Sequence, residues 1–506
     1  MSSGGGSKKK IIIVVSVFLA IITAGGALAY QYFVVNHPLV QYREAEEKTI
    51  AHITEPTASH QKEQNELRSQ LQNEMSMQES VITGDMQLAN DNFAQDNMIF
   101  SMIQSFIGGT TLEVDTYMNP HQHQTLMDLR MRIQATELFS GELYQDQRIS
   151  AFDSPILYNQ PFGIENNKVG ELLQTTGEAP VIEQIPNISE MQQEQNVVSQ
   201  SEDGLSEDIV NRLRDAMGEF EIETEEDVTY GEETLARFSV FIPEEEANSL
   251  FRGLLNEYEA QLTAGIPGNE EAITELLHEI TFPEGLTYEA YYSNEYVAHR
   301  ELSGNAALED QLYQIDWNAD TTLYEDQAYE LDSRLRLEDL NTNNFVTLQL
   351  DVNGQKEEDG YKVDRHLTLG YEHEESGSVQ LTADTLYDNN LANTSFSLQS
   401  DMLQSLFPSI NGRVKQSLER DDSLTSENYE IQLHFNDSET DEMNRFEIHI
   451  AQDYYFGDEV EMPEFDTESV LLVNEYSQEE LTTFMTEIQL HATEYYDDFV
   501  DSLFPF

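Results

Sequence analysis

The sequence predicts an α+β fold: a long, curved antiparallel β-meander covered on one face by helices, set behind an N-terminal transmembrane helix. Three observations predict it. From Leu286 to about Asp453 apolar and polar residues alternate, the mark of strands with one dry and one wet face. Ser477 to Leu503 instead repeats its apolar residues at helical spacing, through Leu481, Phe484, Met485, Ile488, Leu490, Tyr495 and Phe499. Ile11 to Tyr30 is an uncharged, mostly apolar run directly behind Lys8, Lys9 and Lys10.

That run would make a helix of about 30 Å, enough to cross a hydrocarbon core. Lysines on its N-terminal side place the tail in the cytoplasm and the bulk of the chain outside, a single-pass protein of the cell membrane. Two readings stand. Residues 11–33 stay as a signal anchor with Tyr30, Tyr32 and Phe33 at the outer interface, or Ala27-Leu28-Ala29 is a cleavage site and the protein is released. The organisation expected is therefore a tail over 1–10, an anchor over 11–33, helices over 34–109, an α+β half over 110–285 and the meander with its C-terminal helix over 286–506.

Within 34–109, Leu67, Leu71 and Met75 recur at helical spacing, as do Met98, Ile99, Ile103 and Phe106, before Gly108-Gly109. Residues 110–175 alternate like strands, with Met127, Leu129, Met131, Ile133 and Ala135 on one face and a turn at Asn166-Asn167. The polar, proline-containing stretch 177–208 reads as a linker, and Leu205 to Phe220 as an amphipathic helix. Ala236 to Ile242 is a strand, and Pro243-Glu244-Glu245-Glu246 opens a helix, because proline and acids both suit a first turn. Another short helix covers Glu270 to Ile280. In the meander, Leu335 and Leu337 share a face, as do Val346, Leu348 and Leu350, then Val363, Leu367 and Leu369. Asn353-Gly354 is a hairpin signal, and Ser477 with Glu480 forms a capping box.

The 506 residues include 25 basic and 96 acidic side chains, a net charge of −71, and no cysteine. Disulfides, thiolate catalysis and cysteine-held metals are excluded, and such a field repels nucleic acid. Two readings of the acidity compete: adaptation of an exposed surface to high-salt or alkaline surroundings, and recruitment of a cationic partner or Ca²⁺.

The metal candidate is Asp316-Trp317-Asn318-Ala319-Asp320, where Asp316, Asn318 and Asp320 match the opening of a calcium loop. A full loop needs glycine at its sixth position and glutamate at its twelfth, and Thr321 and Gln327 stand there, so an acidic β-turn is the plainer reading. Asp437, Glu439 and Asp441 repeat the weakness. His121-Gln122-His123 lacks a third ligand, and Asn187-Ile188-Ser189 fits a glycosylation acceptor. Tyr288, Tyr291, Tyr292, Tyr296 and Trp317 fit sheet packing better than a groove. No HExxH, GxSxG, GxxxxGK[ST] or GxGxxG pattern occurs.

The basic tail with its apolar run, the segment VQYREAEEKTI (Val40 to Ile50) and the unit VTYGEETLARFSVFIPEEEANSLFRGLLNEY (Val228 to Tyr258) together resemble an uncharacterised family of single-pass, surface-exposed membrane proteins of Gram-positive bacteria. The strand-rich halves with covering helices are similar in outline to half-barrel lipoprotein carriers of the LolA/LppX type, although those carriers are lipidated through a cysteine. Neither resemblance supplies catalytic residues. The function expected is non-enzymatic: an extracytoplasmic, membrane-anchored protein for envelope interaction or apolar-ligand binding, with cationic envelope components or a lipid as partners. The alternative is a structural spacer or assembly subunit at the cell surface.

Overall fold

The computed structural model describes residues 40–87, 108–133, 136–176, 184–189, 220–264, 278–308, 311–372, 376–388, 390–401, 409–421, 424–436, 443–457 and 460–503. In chain order, helices α1 (Val40–Thr54) and α2 (Ala58–Asn73) precede β1 (Ser76–Gln87), β2 (Thr110–Asn119), β3 (Gln124–Ile133), β4 (Thr136–Gln145), β5 (Ile149–Asp153) and β6 (Phe162–Glu165). After α3 (Val169–Thr176) come β7 (Glu221–Tyr230), β8 (Glu233–Ile242) and α4 (Glu244–Ala264). The strands continue through β9 (Leu286–Tyr292), β10 (Val297–Leu308), β11 (Gln311–Leu323), β12 (Tyr329–Asp339), β13 (Phe345–Glu357), β14 (Gly360–Glu372) and β15 (Gly377–Asp388). The last are β16 (Leu391–Ser400), β17 (Ser409–Arg420), β18 (Thr425–Asn436), β19 (Met443–Phe456) and β20 (Leu471–Leu472), followed by α5 (Gln478–Leu503).

The α+β class is corrected: among the described residues twenty strands stand against five α-helices, and sheet dominates. Two compact units divide the chain. In the first, β7 to β15 pair antiparallel in sequence order, so the meander begins at Glu221 and not at Leu286. In the second, β18, β19, β1, β2, β3, β4, β5 and β6 are antiparallel neighbours, and β20 adds to β6 in parallel.

Helical cover is only partial. In the first unit, Ala247, Phe251 and Leu255 of α4 pack with Ile280 and Phe282 on Ile315, Trp317, Leu335, Leu337, Val346 and Leu348. Tyr42 and Ala45 of α1 pack on Phe238, Val240, Ala290, Tyr292 and Val297. In the second unit, α2 brings Leu67 to Leu418 and Tyr454. The capping box of α5 forms, with the Ser477 amide donating to Glu480 Oε2 at 2.8 Å. Beyond it the helix buries Leu481 and Phe484 but leaves Met485 57% and Leu490 55% exposed, so it is not the continuous cover expected.

Strand β1 lies where the helical region was expected, and its burial is inverted. Ser76 and Ser80 are the residues it buries, while Val81 is 42% exposed. Asn353-Gly354 is not a turn either. The chain reverses at Glu358-Asp359, and Gly354 sits inside β13 because the Tyr329 ring occupies the place a Cβ would take.

The single-pass placement, with a cytoplasmic N-terminus and an extracellular bulk, is also corrected. Among the described residues no helix is long and apolar enough to cross a membrane, which says nothing of strands. The longest helices, α4 and α5, open on Glu244-Glu245-Glu246 and Glu479-Glu480. Residues 11–33 lie outside the described residues, as do Met98 to Phe106, Leu205 to Glu219, most of Glu270 to Ile280, and the run from Asp437 to Asp441.

Phe238 is fully buried and stacks on Tyr42 at 5.3 Å between centroids. Phe238→Ala should therefore cost about 3–5 kcal/mol in the first unit, by deleted contacts and residual cavity together. The check is urea unfolding followed by the fluorescence of Trp317, the chain's one tryptophan, which lies buried in the same unit.

Candidate binding face: rows of carboxylates across the strands

Antiparallel pairing sets residues directly opposite one another, with side chains of one row on one face. In the second unit this register lines up acids from distant parts of the chain. Asp453 of β19 stands opposite Glu79, Glu79 opposite Asp115, Asp115 opposite Asp128, Asp128 opposite Glu142, and Glu142 opposite Asp153. Six carboxylates thus occupy six neighbouring strands. The adjacent row holds Tyr455, Met77, Tyr117, Leu126, Tyr144 and Ala151, of which Leu126, Tyr144 and Ala151 are buried beneath Phe465 and Leu472.

The apolar row withdraws water from the acids beside it. Burial, then Asp128 and its neighbours, pushes the Asp115 carboxyl above its ordinary range, while Arg130 pulls it down. Burial, then Asp128 and Asp153, pushes Glu142 up. Arg130 is the guanidinium that relieves the row, bonded to Asp128 and 3.6 Å from Asp115. Two hydroxyls also serve it: Tyr455 donates to Glu79 at 3.0 Å, and Ser426 donates to Asp453.

A shorter row crosses the first unit. His299, Asp320, Asp332, Asp351 and His366 stand opposite one another on β10 to β14. Burial, then Asp351 and Asp320, raises the Asp332 carboxyl, against Arg334. Gln349 Nε2 donates to Asp351 at 3.1 Å, and His299 Nδ1 lies 2.7 Å from Asp320.

Asp316, Asn318 and Asp320, the calcium candidates, all lie on β11. They face one way along an extended strand, about 7 Å apart at each step, while Trp317 and Ala319 are buried on the other face. The segment is neither a calcium loop nor a turn. Asp316 accepts from Gln314 Nε2 at 2.9 Å. Asp320 accepts from the Tyr230 hydroxyl at 2.9 Å and lies 2.7 Å from His299 Nδ1, with the Tyr230 and His299 rings stacked at 4.8 Å. Among the described residues no three His, Cys, Asp or Glu side chains converge to hold a metal.

His121-Gln122-His123 forms the turn between β2 and β3. Asn187 is buried and its amide donates to the His123 carbonyl at 3.0 Å, so it is not presented as a glycosylation acceptor. Of the five aromatics, Tyr288, Tyr292 and Trp317 pack in cores, Tyr291 lies tilted against the Tyr230 ring, and Tyr296 donates to Glu233.

No protein family and no curated protein matches the chain. Among solved structures, Pseudomonas aeruginosa OpdQ aligns at 6% identity and TM-score 0.25, over 76% of this chain and 97% of its own. Wzi of Escherichia coli, an outer-membrane protein of group 1 capsule assembly described as a carbohydrate-binding β-barrel, aligns at 7% and 0.24, over 84% and 96%. Acinetobacter baumannii OccAB3 aligns at 7% and 0.23, over 76% and 99%. Scores this low do not define a common fold.

Because the folded pKa of Asp115 lies above its unfolded value, its charged form costs stability. That cost is absent below the unfolded pKa and is complete once pH rises through the folded one. Asp115→Asn should therefore stabilise the second unit at pH 7 by about 0.2–1 kcal/mol, the range for like charges placed opposite. The gain should shrink as pH falls through the folded pKa and vanish below about 4, read by thermal unfolding in far-UV circular dichroism across that range.

Proposed function

We propose that this chain is a non-enzymatic binding protein whose sheet face takes a linear polycation, a molecule with amines strung along a flexible chain. The observation that carries the reading is the six-strand row of Asp453, Glu79, Asp115, Asp128, Glu142 and Asp153. Strands lie about 4.7–4.9 Å apart, so the row extends roughly 24 Å. Carboxylates spread along a line do not converge on one ion, but they match charges that are themselves spaced along a line. The bordering apolar row suits the methylene segments between amines, and its low polarity strengthens each ion pair.

The net charge of −71 draws cations to the whole surface, so the reading rests on the row and not on the total. The apolar-ligand reading is less favoured, because Phe238, Phe251, Phe282 and Trp317 fill the space between the sheet and helices α1 and α4.

Spermine is the probe, and calorimetric titration of the full chain at 0.1 M and 0.5 M salt is the measurement. The triple variant Asp115→Asn, Asp128→Asn, Glu142→Gln should weaken binding about 3- to 150-fold, since each of the three pairs contributes about 0.2–1 kcal/mol. Glu357→Gln, Glu358→Gln, Asp359→Asn, which removes as many charges from the exposed β13–β14 turn, should leave affinity unchanged. Equal weakening by both variants would reduce the effect to diffuse attraction and overturn the proposal.

A further inference from the structure

Helix α1 is a short, polar helix held in an aromatic seat. Tyr42, Ala45, Glu46 and Thr49 recur at helical spacing and are each at most 5% exposed, so one narrow stripe carries the docking. Half of that stripe is polar or charged. Glu46 Oε2 meets Arg300 Nη2 at 2.7 Å, and Arg300 Nη1 donates to Thr321 at 3.0 Å. The Tyr42 and Tyr288 hydroxyls bond at 2.7 Å, and Thr49 Oγ1 accepts from the Val297 amide at 2.9 Å. Lys48 donates to the Asn294 carbonyl and His52 to that of Ala328. Among the described contacts, α1 is tied to the strands by side chains and by no backbone ladder.

These ties differ in kind from those of the strands beneath. A buried ion pair contributes little net stability over an apolar pair of the same size, but breaking it is costly when one charge stays behind. A 15-residue helix of this composition is marginal by itself in water. Lifting α1 as a whole returns Glu46 and Arg300 to solvent together and leaves β8 to β10 paired. It uncovers Phe238, Tyr288, Ala290 and Tyr292, with the Arg300 guanidinium among them.

We propose that α1 is a releasable strap, opening from β8–β10 while the sheet stays folded and so uncovering an aromatic seat with a guanidinium at its base. The seat would take an amphipathic helix that presents a carboxylate where Glu46 now stands. This role is independent of the carboxylate row in the second unit.

Trypsin reads it directly, since Arg43 and Lys48 lie within α1 and Arg334, Arg336 and Lys362 lie in strands of the same unit. In the wild-type full chain, cleavage at Arg43 and Lys48 should proceed at a rate independent of low urea, at least tenfold faster than cleavage in the strands. Glu46→Gln should accelerate it a further tenfold or more, with the strand sites unchanged. Glu46→Met with Arg300→Met should slow it below wild type. Cleavage at helix and strand sites rising together in the wild type, with one urea midpoint, would make α1 a fixed part of the fold and overturn the proposal even if Glu46→Gln cannot be purified.

Discussion

Antiparallel register is the constraint on which the rest of this structure depends. Once β1 is sandwiched between β19 and β2, Glu79 must face Asp453 on one side and Asp115 on the other. A slip of one residue would turn every side chain of the strand to the opposite face. That slip would carry Ser76 and Ser80 out of the interior and Met77 and Glu79 into it. The buried serines and the acid row are therefore two results of one alignment. The apolar row through Leu126, Tyr144 and Ala151 resists the slip, and the acids accept their crowding because their neighbours cannot move.

The two units meet the same electrostatic difficulty differently. In the first, the crowded aspartates Asp320, Asp332 and Asp351 are bounded by His299 and His366, with Arg334 acting on Asp332. In the second, Arg130 is shared between Asp115 and Asp128, while Glu142 is pressed by the like charges of Asp128 and Asp153. Raised carboxyl pKa values appear in both, and burial is the leading cause in each. The interior charge pair of Glu46 and Arg300 is of another kind, since it joins a helix to a strand and leaves neither partner alone.

Much of the strand pattern was legible in the residues. Leu335 and Leu337, then Val346 and Leu348, alternate in sequence and share the core of the first unit. The strand before Pro243 and the helix after it are also as read, as is the cap at Ser477. What was not legible has physical reasons. Strand β1 buries serines, so its alternation carries the opposite sign to the usual one. Strand β7, with five acids in EIETEEDVTY, offers little apolar signal at all. Amphipathic spacing overstates the share of helical cover, because Met485 and Leu490 lack the burial that their spacing implies. The carboxylate row escaped because its members span residues 79 to 453, and only strand pairing joins them. The aspartates around Trp317 have the spacing of a calcium loop, yet alternate spacing within a strand disperses ligands.

Strand β7 has one further consequence. Among the described residues its ladder pairs with β8 through a register shift between Glu225 and Val228, and acids on a strand of this kind disfavour pairing with strands from other molecules. Glu223, Glu225, Glu226 and Asp227 stand along it, all exposed. A second copy pairing along this strand would bring the same four negative charges against them. Self-templated growth is thereby discouraged along this strand, and solubility at high concentration follows from where these charges stand as much as from how many there are.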